Sequence, residues 1–356
     1  MASGHSPFTT GAVDPPTLSL LLLPLSHLAL APAYLVYALT SAALLATTLW
    51  AWNAQLGRPY VVATILAGLL WYPVIDGLTL GQPVAVVLSA LLATLVLIRR
   101  ERLIWAGIAA GVLWIMPDMT APVLLALGVL VWAYGANPLS YLWGFCGSTV
   151  AFYGLRAGDF VQWVRLVANS VSQVTAQPRQ ISATAFFQLL PANLASGVIG
   201  VIAIILKVCL IAAALVGMLW IFRRGLTRTE MWQKLTGWQR IWWGTSIFFA
   251  VWLLVGPDGH LYDEAYVLPL ATLALGAKPA FGGLAQRIAV LVLVGLPVLT
   301  TIAPNAVYLT PLANLLLLLA VWQLFAESGY LARLKDAGWP QLSEPPPPAA
   351  SPAPAR

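Results

Sequence analysis

Long apolar runs alternate with short polar breaks along most of the chain. A membrane-spanning helix needs about 20 such residues, or somewhat fewer where it ends at a buried loop. The pattern therefore predicts an all-α, polytopic membrane helix bundle of about eleven transmembrane helices. The predicted spans are residues 31–52, 59–73, 82–98, 102–116, 121–135, 138–155, 197–222, 240–256, 264–277, 287–303 and 308–326.

The regions outside these spans differ in pattern. Residues 15–29 are too short and too rich in proline to span, and they predict a half-inserted helix that begins at Pro15, where a missing N–H costs least. The bundle thus occupies residues 15–326, after an outer N-terminal segment at 1–14. Its longest polar stretch, 156–196, has apolar residues at helical spacing and predicts a helix lying in the membrane interface. The proline-rich tail, 327–356, is typical of disordered chain.

Composition places the chain among membrane proteins and indicates which kinds of partner to expect. Hydrophobic residues make up 60% and charged residues 8% of the sequence, whereas soluble domains carry about 25% charged residues. We therefore expect membrane lipids as partners. The net charge is +6, but the basic residues flank apolar runs and form no stripe with interleaved aromatics, so we expect no nucleic-acid partner. Nothing in the sequence predicts a bound cofactor or metal.

The distribution of charge predicts the orientation. Alternating the eleven spans puts fourteen of the eighteen Lys and Arg on one side, which predicts that this side and the C-terminus are cytoplasmic. The predicted location is the bacterial plasma membrane, with an active face that is periplasmic. Seven of the twelve acids map to that outer face, where a carboxylate near the membrane is costly unless it is used. These acids are Asp14, Asp76, Asp118, Asp159, Asp258, Asp263 and Glu264.

Two breaks between spans carry candidate substrate-binding or catalytic groups. The break at 72–82 holds Asp76 and Gln82, with Gln82 predicted to begin the next helix near the positive end of its dipole. The break at 116–122 holds Asp118, which could bind hydroxyls or act as a base. A plain turn with Asp76 as a cap, and Asp118 as the N-cap of the following helix, are the alternatives.

A third break, at 256–266, has the highest density of reactive side chains. It contains His260, Tyr262, Asp263 and Glu264 between two apolar runs. Such a group can bind sugar hydroxyls, position a phosphate or transfer a proton. We take His260 and Asp263, with Asp118, as candidate catalytic residues, and Tyr262 and Glu264 as candidate binding residues. A solvated loop without a task is the alternative.

Three arginines lie on the outer side, against the general charge bias. Arg156, Arg165 and Arg179 all fall in the 156–196 stretch. A guanidinium fork matches the oxygens of a phosphate, so we take the three as candidate phosphate-binding residues. Contact with lipid headgroups, or pairing with Asp159, is the alternative.

A family resemblance agrees with this set of residues. The chain resembles the membrane glycosyltransferases of the GT-C superfamily, glycosyltransferase family 87, over about two-thirds of its length. The similar motifs are Pro15-Pro16 with the leucine-rich run after it, Trp71-Tyr72-Pro73 with Gly81-Gln82, Arg99-Arg100, Ala106-Gly107 with Gly111, Met116-Pro117, and His260-Leu261-Tyr262-Asp263 with Leu268-Pro269-Leu270. The resemblance implies transfer of a hexosyl unit, such as mannose, from a polyprenyl-phosphate sugar to a lipid or glycan acceptor.

The sequence departs from the family pattern at two places. The family has a first span and an outer loop with the catalytic Asp before the Pro-Pro segment, whereas only fourteen residues precede Pro15 here. We therefore expect that the chain lacks that span and loop, and we assign no role to Asp14. Met116 stands where the family commonly has a lysine. An inactive, truncated relative is accordingly one alternative to the glycosyltransferase.

A transporter or flippase for a lipid-linked or polar solute is the alternative from another functional class. Such a protein concentrates charges and broken helices near the middle of the bilayer. Only Lys207 lies near the middle of a predicted span, and it can reach the interface along a tilted helix. The remaining candidates lie in outer breaks, which favours the glycosyltransferase.

Overall fold

The computed structural model describes residues 22–56, 65, 68–154, 216, 229, 232–233, 235–255, 261–276, 287–303, 306 and 309–326. Every element within these residues is helical, which confirms the predicted helical bundle. The ten α-helices of this part of the chain are α1 (Leu30–Leu56), α2 (Tyr72–Thr79), α3 (Val84–Arg99), α4 (Leu103–Val112), α5 (Pro117–Tyr134), α6 (Pro138–Gly154), α7 (Gly237–Val255), α8 (Leu268–Gly276), α9 (Leu296–Ile302) and α10 (Thr310–Ala326). The same residues contain 3-10 helices at Leu23–His27, Leu113–Ile115 and Leu261–Val267, and a π-helical turn at Leu291–Gly295.

The first α-helix is long and apolar enough to cross a membrane. Its apolar part, Leu30–Gln55, has 26 residues, and it is the one helix of that length and composition among the described residues. Shorter apolar helices include Val84–Arg99 and Thr310–Gln323. The span count of eleven therefore stays a prediction, and the predicted span 197–222 lies almost wholly outside the described residues.

The helices are apolar on their outward faces as well as inside. Large side chains such as Leu30, Leu125 and Trp143 are exposed by 87%, 74% and 74%. A helix that is hydrophobic all round is typical of a membrane span. The outward surface thus fits a lipid environment, as expected of a membrane protein.

Helix α3 is central to the bundle and connects its two ends. It packs against α1, α4 and α7, and nearly all of its side chains are buried. Helix α7 in turn packs on α5 and α10. We call the end of the bundle that carries Asp76 and Asp263 the outer end, and the end that carries Arg99 the inner end.

Helices α4 and α6 approach each other closely through glycines. A side chain at Gly107 would meet the backbone of Tyr141, and one at Gly144 would meet the backbone of Ile104. A side chain at Gly111 would meet Ser148. Small residues four positions apart allow such contact between apolar helices, where van der Waals packing replaces the hydrophobic driving force.

Candidate functional site

The segment predicted as a break at 72–82 contains the short helix α2. Pro73 lies in its first turn, where a proline fits, after Trp71 in an extended conformation. The helix ends at Thr79, and Gly81, two residues later, has a φ of +71°. The Gln82 amide donates to the Gly77 carbonyl at 2.8 Å and the Gly81 amide to the Leu78 carbonyl at 3.0 Å, which is the Schellman pattern of a helix C-terminus.

Asp76 lies inside α2 and is buried, with 7% of its surface exposed. Its backbone carbonyl accepts hydrogen bonds from the Leu80 amide at 3.0 Å and from the Thr79 hydroxyl at 2.9 Å. Asp76 is therefore neither a turn residue nor a cap, and that alternative interpretation was wrong. Asp76 thus places a buried carboxylate within a short helix at the outer end.

Two tyrosines of α1 hold α2 in place. The Tyr34 hydroxyl donates to the Leu78 carbonyl and the Tyr37 hydroxyl to the Gln82 carbonyl, each at 2.8 Å. Gln82 lies in the turn, and α3 begins two residues later at Val84, so Gln82 was wrongly predicted to begin that helix. Gln82 is partly buried, and its amide donates to the end of α2, the helix that carries Asp76.

The third break becomes a 3-10 helix, Leu261–Val267, that packs against α2 and α7. Asp263 is fully buried in it, so a solvated loop is wrong for this residue. The Tyr266 ring stacks on Phe249 of α7 at 4.8 Å between centroids, and the Tyr266 hydroxyl donates to the Met116 sulfur at 3.2 Å. The structure thus brings the elements of Asp76 and Asp263 together at the outer end.

The Met116 contact connects the second break to the same place. Met116 is the N-cap of α5, and Asp118 is the second residue of that helix. The alternative prediction of Asp118 as N-cap was therefore wrong. The Thr120 hydroxyl lies within hydrogen-bonding distance of the Leu113 and Met116 carbonyls, at 2.6 and 2.8 Å, which fixes the entry into α5.

The remaining predicted site residues are only partly covered. Tyr262 and Glu264 belong to the Leu261–Val267 helix, but their side chains are not among those the structure describes. His260 lies outside the described residues, as do Arg156, Arg165 and Arg179. Among the side chains that are described, no three of His, Cys, Asp or Glu form a group that could hold a metal ion.

Sequence reasoning missed two buried tryptophans at the outer end. Trp71 precedes α2 and Trp252 lies one turn from the end of α7, with 3% and 6% of their surfaces exposed. The indole nitrogen of each is buried without a hydrogen-bond partner among the described residues. The position of each tryptophan next to a polar break was the one signal in the sequence. Whether its N–H is buried depends on tertiary packing.

Comparison with known proteins gives one result. A family model, that of glycosyltransferase family 87, matches residues 13–238. This range contains Asp76, Gln82 and Asp118 and ends before the helix that carries Asp263. Neither a curated protein nor a solved structure matches the chain.

Proposed function

Since this chain belongs to glycosyltransferase family 87, we propose that it transfers a hexosyl unit, such as mannose, from a polyprenyl-phosphate sugar to a lipid or glycan acceptor. Family membership makes the chain a membrane glycosyltransferase in general terms. The donor, the sugar and the acceptor are our proposal, and so is the location of the reaction at the periplasmic face of the plasma membrane.

The packing of α2 against the Leu261–Val267 helix carries this proposal. It gathers two carboxylates from distant parts of the sequence, Asp76 and Asp263, at one end of the bundle, and both are buried. Glycosyl transfer needs a carboxylate to accept a proton, and it needs hydrogen bonds to the sugar that strengthen as the bond to phosphate breaks. The two buried acids supply groups of both kinds.

We assign the role of base to Asp263 and the orientation of the sugar to Asp76. The Asp263 carboxylate accepts the proton of the acceptor hydroxyl while the oxygen of that hydroxyl attacks the anomeric carbon. The bond between that carbon and the phosphate oxygen breaks, and the polyprenyl phosphate leaves with the bonding electron pair. The products are the new glycosidic bond, the free polyprenyl phosphate and a protonated Asp263 carboxyl group.

The other candidates are given roles by their chemistry and their position in the chain. His260, Tyr262 and Glu264 flank Asp263, and we assign His260 to proton transfer and the other two to sugar hydroxyls. Asp118, at the entry of α5, is a second candidate base. Gln82 is assigned to hydroxyl binding. We assign the departing lipid phosphate to the outer arginines, because guanidinium groups suit phosphate; these are Arg156, Arg165 and Arg179.

Sugar transfer in isolated membranes tests the proposal. Membranes that contain the protein are supplied with polyprenyl-phosphate mannose or glucose, and labelled lipid and glycan products are measured. We expect Asp263→Asn, and likewise His260→Ala, to reduce transfer by roughly 10²–10⁴-fold, as loss of a general base or acid does. Expression of both variants should persist.

Glu101→Gln is the matched control, because it neutralises one carboxylate at the inner end and should leave transfer unchanged. Wild-type transfer by both Asp263→Asn and Asp76→Asn would contradict the assigned site. If the wild-type protein moves the labelled donor between leaflets without forming product, the chain is a flippase and the proposed function is wrong.

A further inference from the structure

The buried tryptophans of the bundle differ in how their indole N–H groups are satisfied. Trp52 donates to the Thr272 hydroxyl at 3.1 Å, and Trp242 donates to the Leu95 carbonyl at 2.7 Å. A buried indole N–H usually finds a partner in this way. The indole nitrogens of Trp71 and Trp252 have none within the described part of the chain, and neither has that of the partly buried Trp114, two residues before Met116.

Trp252 lies at the same level of the bundle as Asp263. The chain leaves α7 at Val255 and returns in the helix that begins at Leu261, so the two packed segments run in opposite directions. Phe249 of α7 stacks on Tyr266 of the returning helix at 4.8 Å. Trp252 lies three residues beyond Phe249 toward the outer end of α7, and Asp263 lies three residues from Tyr266 in the same direction on the returning helix.

Trp71 belongs to the same end through α2. Its backbone carbonyl accepts hydrogen bonds from the amides of Val74 and Ile75, at 3.0 and 3.1 Å, so its position is set by the first turn of α2. That helix carries Asp76 and packs against the helix of Asp263. The outer end therefore combines two buried carboxylates with two buried indole donors.

Two buried carboxylates together with two buried indole donors favour one class of ligand. An indole N–H can only donate a hydrogen bond, and an ionised carboxylate can only accept, with room for about four bonds. A phosphate offers mainly acceptors, and two carboxylates would repel its charge. A hydroxyl group does both: it can donate to a carboxylate while its oxygen accepts from an indole.

We propose that the indole N–H groups of Trp252 and Trp71 bind hydroxyl oxygens of the transferred sugar. The hydrogens of these hydroxyls are donated to Asp76 and to one carboxylate oxygen of Asp263, which leaves the other oxygen of Asp263 for the proton of the acceptor. The inference rests on the proposed function in one respect, namely that the ligand is a sugar. It assigns sugar-binding groups that the sequence did not indicate. It also gives a use to the buried indole donors of Trp71 and Trp252, whereas those of Trp52 and Trp242 are used within the protein.

Replacement of each tryptophan by phenylalanine tests the inference, because this keeps a large ring and removes the N–H. Binding of methyl α-mannoside, methyl α-glucoside and methyl α-galactoside is measured by saturation-transfer NMR on the protein in lipid nanodiscs, without sugar-containing detergents. We expect Trp252→Phe to weaken hexoside binding by roughly five- to tenfold, the loss of one hydrogen bond. Trp71→Phe should weaken it to a similar extent.

Melting temperatures separate a binding role from a structural one. Trp252→Phe and Trp71→Phe leave a small cavity but lose no hydrogen bond within the described residues, so their melting temperatures should fall less than that of Trp242→Phe. Trp242→Phe loses the bond to Leu95 and should melt at a lower temperature. Trp132→Phe, at a position 64% exposed on the outward face, is the matched control for both measurements and should change neither.

Two binding results would overturn the inference. One is unchanged hexoside binding in both Trp252→Phe and Trp71→Phe. The other is an absence of saturable hexoside binding by the wild-type protein. If wild-type membranes transfer no sugar from a polyprenyl-phosphate donor while Trp252→Phe still loses hexoside binding, the proposed function fails and the sugar site stands. If Trp252→Phe transfers at the wild-type rate at low donor concentration, the function stands and the inference fails.

Discussion

The outer and inner ends of the bundle differ in how their polar groups are used. At the inner end, the Arg99 guanidinium lies over the rings of Trp238 and Trp242, at 4.6 and 5.8 Å from their centroids, and its Nη1 donates to the Gln55 carbonyl. At the outer end, the buried indole N–H of Trp71 lies next to the helix of the buried Asp76, and that of Trp252 lies at the level of the buried Asp263. Neither indole has a hydrogen-bond partner among the described residues. The Arg99 guanidinium and the Trp242 indole of the inner end are thus used within the protein.

This difference separates stability from function between the two ends of the bundle. Satisfied hydrogen bonds and stacked rings hold helices together, whereas buried polar groups without internal partners cost stability. Proteins keep such costs mainly where a ligand uses the groups. We therefore expect substitutions at the inner end to change the free energy of unfolding, and substitutions at the outer end to change sugar binding and transfer.

The largest effect on stability is expected at Trp242. Its indole is almost fully buried, contacts the rings of Trp52 and Trp238 at 4.3 and 4.8 Å, and donates to the Leu95 carbonyl. Trp242→Ala leaves a large cavity and should lower the free energy of unfolding by about 3–5 kcal/mol. Thermal or denaturant unfolding in lipid nanodiscs measures the loss.

Trp132→Ala is the control for Trp242→Ala, since the exposed ring of Trp132 leaves no cavity and the loss should be much smaller. Transfer per folded molecule should be near the wild-type value in Trp242→Ala. An unchanged melting temperature together with abolished transfer would break the comparison, because the inner end would then act in the reaction.

A smaller effect is expected for Arg99→Lys. Lysine keeps the charge but has no planar fork to stack on Trp238 while it donates to Gln55. The free energy of unfolding should fall by about 0.5–2 kcal/mol, the range of a cation–π contact. Arg100→Lys is the matched control, because Arg100 is exposed and should tolerate the change. Equal losses in the two variants would show that the stacking geometry at Arg99 contributes nothing.

The main helices could be predicted because apolar runs end at residues that stop a helix. The predicted spans 82–98, 138–155 and 240–256 match Val84–Arg99, Pro138–Gly154 and Gly237–Val255 within three residues. Helix α2 was missed, because Pro73, Asp76 and Gly77 have low helix propensity. Its packing against the Leu261–Val267 helix and the two tyrosine bonds from α1 overrode that propensity.

The candidate site could be predicted only in part. Charge alternation across the predicted spans placed Asp76 and Asp263 on one face, and the structure places their helices in contact. The complete burial of Asp263 was not predictable, because it follows from a packed 3-10 helix where the sequence suggested a loop. The roles of Trp71 and Trp252 depend on which acceptors the fold brings near each N–H, and local sequence does not determine this.

The smallest effect concerns two turns with the same backbone and different residues. The outer turn has Gly81 at φ +71°, and the inner turn has Glu101 at φ +56°. The inner turn repeats the Schellman pattern: the Arg102 amide donates to the Leu97 carbonyl at 2.9 Å, and the Glu101 amide donates to the Ile98 carbonyl at 3.0 Å. A non-glycine residue in this left-handed region costs about 1–2 kcal/mol.

Exchange of the residue types should therefore move stability in opposite directions. Gly81→Ala should cost about 1 kcal/mol from the backbone alone, since its new methyl group meets nothing within 4 Å. Glu101→Gly should gain up to about 1 kcal/mol, partly offset by the greater freedom of glycine in the unfolded chain. Glu101→Gln keeps the strained backbone and removes the charge, so it should gain nothing. If Glu101→Gly lowers stability and Glu101→Gln lowers it equally, the carboxylate stabilises the arginines around it, and the inner end holds its charges by ion pairing as well as by stacking.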